Sequence, residues 1–360
     1  MITREWPLAP AYATAAAFLF FDDLLLGFGS TWWVVLMFAW LFGVILWSAF
    51  AVVRHAEALG EILGEPFGTL ILTFAITAIE VMMIAAVMLT GPAVSTLARD
   101  TMFAVIMIVF NGMAGLALLL GGLRYHEQTY NLQGASAFLA VTIPLAVLGL
   151  ILPDFTSSPG ATLSRLHEIF LMVMSVALYG VFLAIQTLRH RQYFIGADEE
   201  IEKGPGIADL RPAYYHGALL VFYIVPIIVL SKKIAVPIDY GVAVAGAPAG
   251  LVGFIVAALI LSPESLGAVR AALANQLQRS INLLLGSALA SISLTIPAVL
   301  AIAMITGRTV VLGLDAVDAV LLVLTFGMAQ LTYGSGRTNI LLGAVHLLLF
   351  CTYIALILER

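Results

Sequence analysis

The stretch GTLILTFAITAIEVMMIAAVML, residues 68–89, is long enough to cross a bilayer and carries one carboxylate, Glu80, in an otherwise uncharged run. A carboxylate in hydrocarbon is costly and is kept where it has a task, so Glu80 marks a candidate ion or proton site. A second run, GAPAGLVGFIVAALIL at 246–261, leads into SPESLGAVR at 262–270 and places Glu264 at the broken end of another apolar segment. The two glutamates fall in corresponding places in the two halves of the chain, as in internally repeated membrane folds.

Composition extends the membrane reading to the whole chain. Of its 360 residues, 62% are hydrophobic and 10% charged, and the mean hydropathy is +1.07; an ordinary soluble domain has roughly one-quarter charged residues. The 31 glycines and 14 prolines follow no collagen-like period and read as close helix packing, kinks and interrupted helices. A single cysteine, Cys351, excludes an intramolecular disulfide and a four-cysteine metal site. The net charge of −5 and the lack of a basic patch stand against nucleic-acid binding. No clear cleavage site succeeds the first residues, so the first apolar segment is read as retained.

Eleven stretches are long enough to span, near 11–29, 31–51, 68–90, 101–123, 134–152, 168–188, 217–235, 242–261, 281–304, 310–332 and 338–358. Asp22 and Asp23 make the first the least regular, and they alternatively mark a helix end at the interface. Alternating sides puts ten Lys and Arg residues, Arg54, Arg124 and Arg337 among them, on the side of the N-terminus and six on the other. That bias places the N-terminus in the cytoplasm. The hydrophilic stretch 190–212, with Asp198, Glu199, Glu200, Glu202 and Asp209, is too short for a domain. It reads as a solvated connector or as a collector of cations, and it lacks the ligand order of an EF-hand loop.

The expected fold class is all-α: a polytopic membrane protein of about eleven transmembrane helices, built as inverted five-helix repeats plus one extra N-terminal helix. The expected division is an extra helix at 1–30, a first repeat at 31–188, a cytoplasmic acidic connector at 189–216 and a second repeat at 217–360. Arg99 precedes Asn111 by the same twelve residues that separate Arg279 from Ser291, each pair lying beyond its glutamate. With five helices per repeat the two copies face opposite ways, which is expected to bring Glu80 and Glu264 near mid-membrane.

Thr69, Thr73, Thr77 and Glu80 form one polar stripe on a helix, facing a cation path or forming an interhelical hydrogen-bond seam. Pro263 removes a backbone donor beside Glu264 and exposes carbonyl oxygens near Ser262 and Ser265. Oxygen ligands of this kind suit hard cations such as calcium, and equally sodium or potassium; no His or Cys cluster points to zinc or copper. Gly286, Ser287, Ala288, Ala290 and Ser291 are small enough for close helix approach, and Ser287 and Ser291 share a face that either packs or lends hydroxyls to the ion. Asn275, Gln278 and Asn282 read as vestibule lining or as a tether of the turn. His55, Glu57, Glu61 and Glu65 read as an entrance or as a solvated interfacial helix. His346 is either a titrating group or a packed hydrogen-bonding one, and Arg337 with Asn339 an interface anchor.

HAEALGEILGEPFGTLILT (55–73), RDTMFAVIMIVFNG (99–112), LSPESLGAVRAALANQLQR (261–279), GSALASISLTIP (286–297) and SGRTN (335–339) together resemble the cation/proton branch of the calcium/cation antiporter superfamily, the bacterial calcium/proton or sodium, potassium/proton antiporters. The resemblance covers nearly the whole chain. It implies two inverted repeats with Glu80 and Glu264 as ion-binding and proton-coupling carboxylates, and Asn111 and Ser291 as supporting polar positions; Thr77 and Ser287 join the candidate ion ligands. No Gly-Asn pair precedes either glutamate, and the first repeat has no counterpart of Gly286–Ser287. Both departures favour the cation/proton over the sodium/calcium branch.

The expected function is that of a proton-coupled secondary transporter of the bacterial inner membrane rather than an enzyme: Ca2+ leaves the cytoplasm in exchange for H+, with Na+ or K+ as the alternative transported ion. The cycle calls for no nucleotide, redox cofactor or covalent intermediate. Its expected surroundings and partners are lipid, the cations and protons it moves and, as an open alternative, further copies of the chain. A channel would leave the paired repeats without a purpose, and no HisGluXXHis motif or aspartate pair suggests a protease.

Overall fold

The computed structural model describes residues 5–27, 29–64, 67–90, 95–156, 162–195, 211–244, 246–248 and 250–359. In chain order the helices are α1 (Leu8–Phe20), α2 (Asp22–Leu26), α3 (Thr31–Leu63), α4 (Phe67–Thr90), α5 (Leu97–Ile106), α6 (Ala114–Tyr125), α7 (Leu132–Ala146) and α8 (Arg165–Ala184). The second half adds α9 (Ala213–Ala243), α10 (Gly250–Leu273), α11 (Leu277–Ala290), α12 (Ile296–Thr306), α13 (Ala316–Tyr333) and α14 (Ile340–Glu359). A π-helical segment, Met107–Met113, joins α5 to α6, and another, Ser291–Thr295, joins α11 to α12, so each pair is one continuous span. Side-chain oxygens start several helices: Ser30 accepts from Trp33 N, Asp315 from Val317 N and Asp318 N, and Asn339 from Leu341 N and Leu342 N.

Nine helices among the described residues are long and apolar enough to cross a membrane. α4, outside those nine, has 24 residues and rises about 36 Å. The expected first span is a broken helix: α1 has 13 residues and rises only about 20 Å, short of a hydrocarbon core of about 30 Å. The chain breaks at Phe21 and resumes as α2, with Asp22 held by Lys233 at 2.6 Å. The eighth span also differs from the expected 242–261: α10 starts at Gly250 and runs through Pro263 to Leu273. Glu264 is therefore inside a helix, not at its broken end. Proline is tolerated there because membrane helices resatisfy the freed backbone from their neighbours. α9 shows the device directly: Pro226 cannot donate to the Phe222 carbonyl one turn back, and the Tyr12 hydroxyl of α1 donates to that oxygen instead at 3.0 Å.

Two compact units divide the chain, Met1–Val94 with Ile207–Pro263 and Ser95–Gly206 with Glu264–Arg360. Each expected five-helix repeat contributes its first two helices to the first unit and its last three to the second. In the first unit α3 packs along α9, with α4 and α1 against both, around Leu41, Ile45, Val52, Tyr223, Ile227 and Leu230, all fully buried. In the second, α14 lies along α6 and the first π segment, α11 along α7, and α12 along α8.

Hydrogen bonds within the units fix which chain ends share a side. Arg99 donates to the Gly313 carbonyl at 3.1 Å and Val311 N to Ser95 O at 2.9 Å, joining the turns before α5 and before α13. At the opposite end of the α5–α6 span, Tyr125 OH donates to Leu273 O at 2.9 Å, and Gln278 Oε1 accepts from Asn131 N at 2.7 Å. The segments carrying Arg99 and Arg279, matched in sequence, thus lie at opposite ends of one span, as inverted repeats require. The same end carries an element absent from the sequence reading, a two-stranded antiparallel ribbon pairing β1 (Glu127–Thr129) with β2 (Arg337–Asn339). Six expected spans separate these strands, an even number, so the pairing agrees with the alternation of sides. The chain is a multi-pass membrane protein.

Candidate ion-binding site

Glu80 lies near the middle of α4 and is 0% exposed; Thr77, one turn earlier, is 8% exposed. Thr73 is half-buried on the same stripe, while Thr69 lies outside the residues whose side chains are described. Glu264 is just past the middle of the 24-residue α10 and 7% exposed, with Ser265 buried beside it. Ser262 donates its hydroxyl to the Ala258 carbonyl one turn back, so its proton is spent on its own helix. The course of α10 makes the halves match more closely: both carboxylates sit well inside a 24-residue helix.

Asn111 and Ser291, the matched polar positions, both fall in π-helical segments. A π segment inserts a residue into the α-helical ladder, loosens the i→i−4 pattern and turns side chains out of register; such segments recur at functional sites. The two spans pack on each other, α11 against the first π segment and α5 against the second. Asn111 is fully buried and its amide is doubly engaged: Nδ2 donates to Thr325 Oγ1 at 2.8 Å, and Oδ1 lies 3.0 Å from His346 Nδ1. Ser291 is 3% exposed. Around it the hydroxyls of Ser287, Ser293 and Thr295 have no hydrogen-bond partner among the described residues, with Ser293 and Thr295 fully buried. Hydroxyl and amide oxygens together with carboxylates are the ligand chemistry of hard, oxygen-seeking cations.

Several weaker sequence readings resolve. Gln278 donates to Asn282 Oδ1 at 2.9 Å, and Asn282 to the Phe194 carbonyl. Asn275 Oδ1 accepts from Gln128 Nε2 at 3.0 Å, so this trio ties down the turn. Asn339 caps α14, and Arg337 sits 4.0 Å from Glu127 at the ribbon. Gly286 does not mediate close approach: a Cβ there would meet Phe138 at an ordinary 3.6 Å. The close contact is instead between α6 and α14, where a Cβ on Gly343 would run into Leu119 N and one on Gly115 would come 2.9 Å from Leu347 N. The acidic residues at 198–209 and Glu65 lie outside the described residues.

Two polar groupings escaped the sequence reading. The first is the buried chain of side chains that joins His346 to Asn111. The second gathers on Glu5, whose Oε2 accepts from Arg54 at 2.7 Å and Tyr223 at 3.0 Å and lies 3.2 Å from His55 Nε2; His55 Nδ1 in turn lies 3.0 Å from His216 Nδ1. Burial acts to raise the Glu5 carboxyl, but the Arg54 guanidinium and the hydrogen bonds of His55 and Tyr223 outweigh it and hold it below the usual carboxylate range. His55 is 2% exposed, so it belongs to this packed cluster and not to a solvated face.

A protein of Sinorhizobium fredii (strain NBRC 101917 / NGR234) that bears the name ionic transporter y4hA is 44% identical over 317 residues, 87% of this chain and 86% of its own length. The sodium-potassium/proton antiporter ChaA of Escherichia coli (strain K12) is 41% identical over 314 residues, 86% of this chain and 85% of its own. The solved structure of native YfkE superposes with a TM-score of 0.75 at 16% identity, covering 98% of this chain and 100% of that one, which speaks for a shared fold. The pattern of the sodium/calcium exchanger proteins matches residues 33–188 and 216–358, nearly the two stretches read as five-helix repeats, and the chain belongs to that family.

Proposed function

We propose that this protein is a secondary antiporter of the bacterial inner membrane, with its N-terminus in the cytoplasm, that exports a cytoplasmic cation in exchange for protons. The observation that carries the proposal is Glu80, a fully buried carboxylate midway along an apolar helix. In this cycle Glu80 and Glu264, ionised, take up the partly dehydrated cation with help from Thr77, Asn111, Ser287 and Ser291. Protons from outside then replace it on the same carboxylates. Occupancy by cation or by protons neutralises the charge and permits the inward–outward change, whereas empty ionised carboxylates are costly to carry through a closed apolar barrier.

Ca2+ fits the charge balance, since one divalent ion or two protons neutralises two carboxylates. Sodium or potassium is the second reading, favoured by the name of the 41% identical relative. Purified protein in sealed vesicles tests both: an imposed Ca2+, Na+ or K+ gradient, applied separately, is expected to drive protons the opposite way. If Ca2+ moves no protons while Na+ or K+ does, the second reading replaces the first; if none does, antiport is wrong.

A further inference from the structure

A fully buried chain of side chains runs Thr325–Asn111–His346–Thr332, linking α13, the first π segment and α14 within one compact unit. Its contacts are 2.8 Å from Asn111 Nδ2 to Thr325 Oγ1, 3.0 Å between Asn111 Oδ1 and His346 Nδ1, and 2.9 Å between His346 Nε2 and Thr332 Oγ1. Met107 Sδ lies 3.5 Å from Asn111 Nδ2 and 3.7 Å from Thr325 Oγ1.

The thioether decides how the amide is turned. Sulfur in methionine only accepts, so the Asn111 edge facing Met107 and Thr325 is the NH2 edge, and the carbonyl oxygen faces the imidazole. His346 Nδ1 must then carry a proton and donate it. In the neutral ring Nε2 is left as the acceptor for the Thr332 hydroxyl, and every link has one donor and one acceptor. An amide oxygen has two lone pairs, of which the imidazole takes one. A flipped Asn111 would present its NH2 group, which repels a cation.

We propose that His346 is a positioning residue for ion binding: its Nδ1–H fixes the rotation of the Asn111 amide so that the free lone pair of Oδ1 is held for the transported cation. The proposal rests on the antiport reading and on Asn111 as one of its ligands. The fold is built to make the contact, because Gly343, one turn before His346 on α14, and Gly115 on α6 let the two backbones approach closely enough for the ring to reach the π segment.

Two near-isosteres separate positioning from proton carriage. In His346→Asn the amide nitrogen takes the place of Nδ1 and keeps the donor to Asn111; in His346→Gln it takes the place of Nε2 and loses that donor. In proteoliposomes, His346→Asn is expected to keep the wild-type cation KM, and His346→Gln to raise it about tenfold with a smaller change in maximal rate, the effect of one buried hydrogen bond. The pH profile of exchange should be unchanged in His346→Asn. Equal KM values in the two variants, or a pH profile flattened in His346→Asn, would overturn the proposal. Failure of the wild type to exchange any cation would instead refute the antiport reading. The hydrogen bond is then still decided by the ring 15N shifts of His346, assigned by their loss in His346→Gln: a protonated Nδ1 that moves in Asn111→Leu is expected, and an unprotonated or unmoved Nδ1 overturns the assignment.

Discussion

The two spans that cross in the second compact unit use the same backbone device with different chemistry. Both break α-helical register with a π segment at the matched polar position, Met107–Met113 around Asn111 and Ser291–Thr295 beginning at Ser291. In the first, a carboxamide is pinned by Thr325 and His346. In the second, short hydroxyls line the segment, and those of Ser293 and Thr295 are buried without partners among the described residues. A pinned amide offers one oxygen in one direction, whereas free hydroxyls rotate to suit what they meet. The halves thus share a helix plan and a carboxylate each, and differ in the neutral oxygen at the matched position, a carboxamide at Asn111 and a hydroxyl at Ser291.

The largest effects should come from what the halves share. Glu80→Gln and Glu264→Gln each keep the size and remove the titrating group, and each is expected to lower exchange at matched protein amount by at least about 100-fold, the equivalent of roughly 3 kcal/mol from a buried charged ligand. Wild-type-like exchange in either one would remove that residue from the mechanism and break the equivalence of the halves.

The next effects should expose the difference. Asn111→Ala is expected to raise the cation KM about tenfold and Ser291→Ala by less than about threefold, because losing the amide also takes from His346 and Thr325 the partner that Asn111 gives them. Equal effects would show that pinning confers nothing. Gly343→Val should act like His346→Gln and also destabilise the protein by about 1–3 kcal/mol, since its side chain meets the α6 backbone. Gly286→Ala in the second span should be tolerated, with its Cβ in ordinary contact with Phe138. Thermal unfolding in detergent distinguishes the two. Ser287→Ala, at a half-buried hydroxyl with no hydrogen-bond partner among the described residues, should change KM by less than about twofold.

These magnitudes explain which features were legible in the sequence. A lone carboxylate such as Glu80 in a long apolar run is expensive enough to be read without a structure, and the equal Arg99–Asn111 and Arg279–Ser291 spacings carried the repeat. The π segments were not legible, because MIVFNGM and SISLT differ from ordinary helix only in backbone register. Nor was the pairing of Asn111 with His346, 235 residues away, which exists only once Gly115 and Gly343 let α6 and α14 touch. The course of α10 through Pro263 departs from the expectation because local propensity treats proline as a terminator, while in a membrane the alternative to a helix is unsatisfied backbone. The three-residue ribbon strands are too short to show a period.

If cation and protons compete for the same two carboxylates, binding of the ion must release protons, and that release can be recorded. Purified protein in weakly buffered detergent at a pH where the carboxylates are protonated is titrated with Ca2+, Na+ or K+ while the released acid is recorded. The transported cation is expected to acidify the solution, with roughly one proton fewer released in Glu80→Gln and in Glu264→Gln. Cation binding without proton release, or release unchanged in both variants, would show that ion and protons do not share these carboxylates.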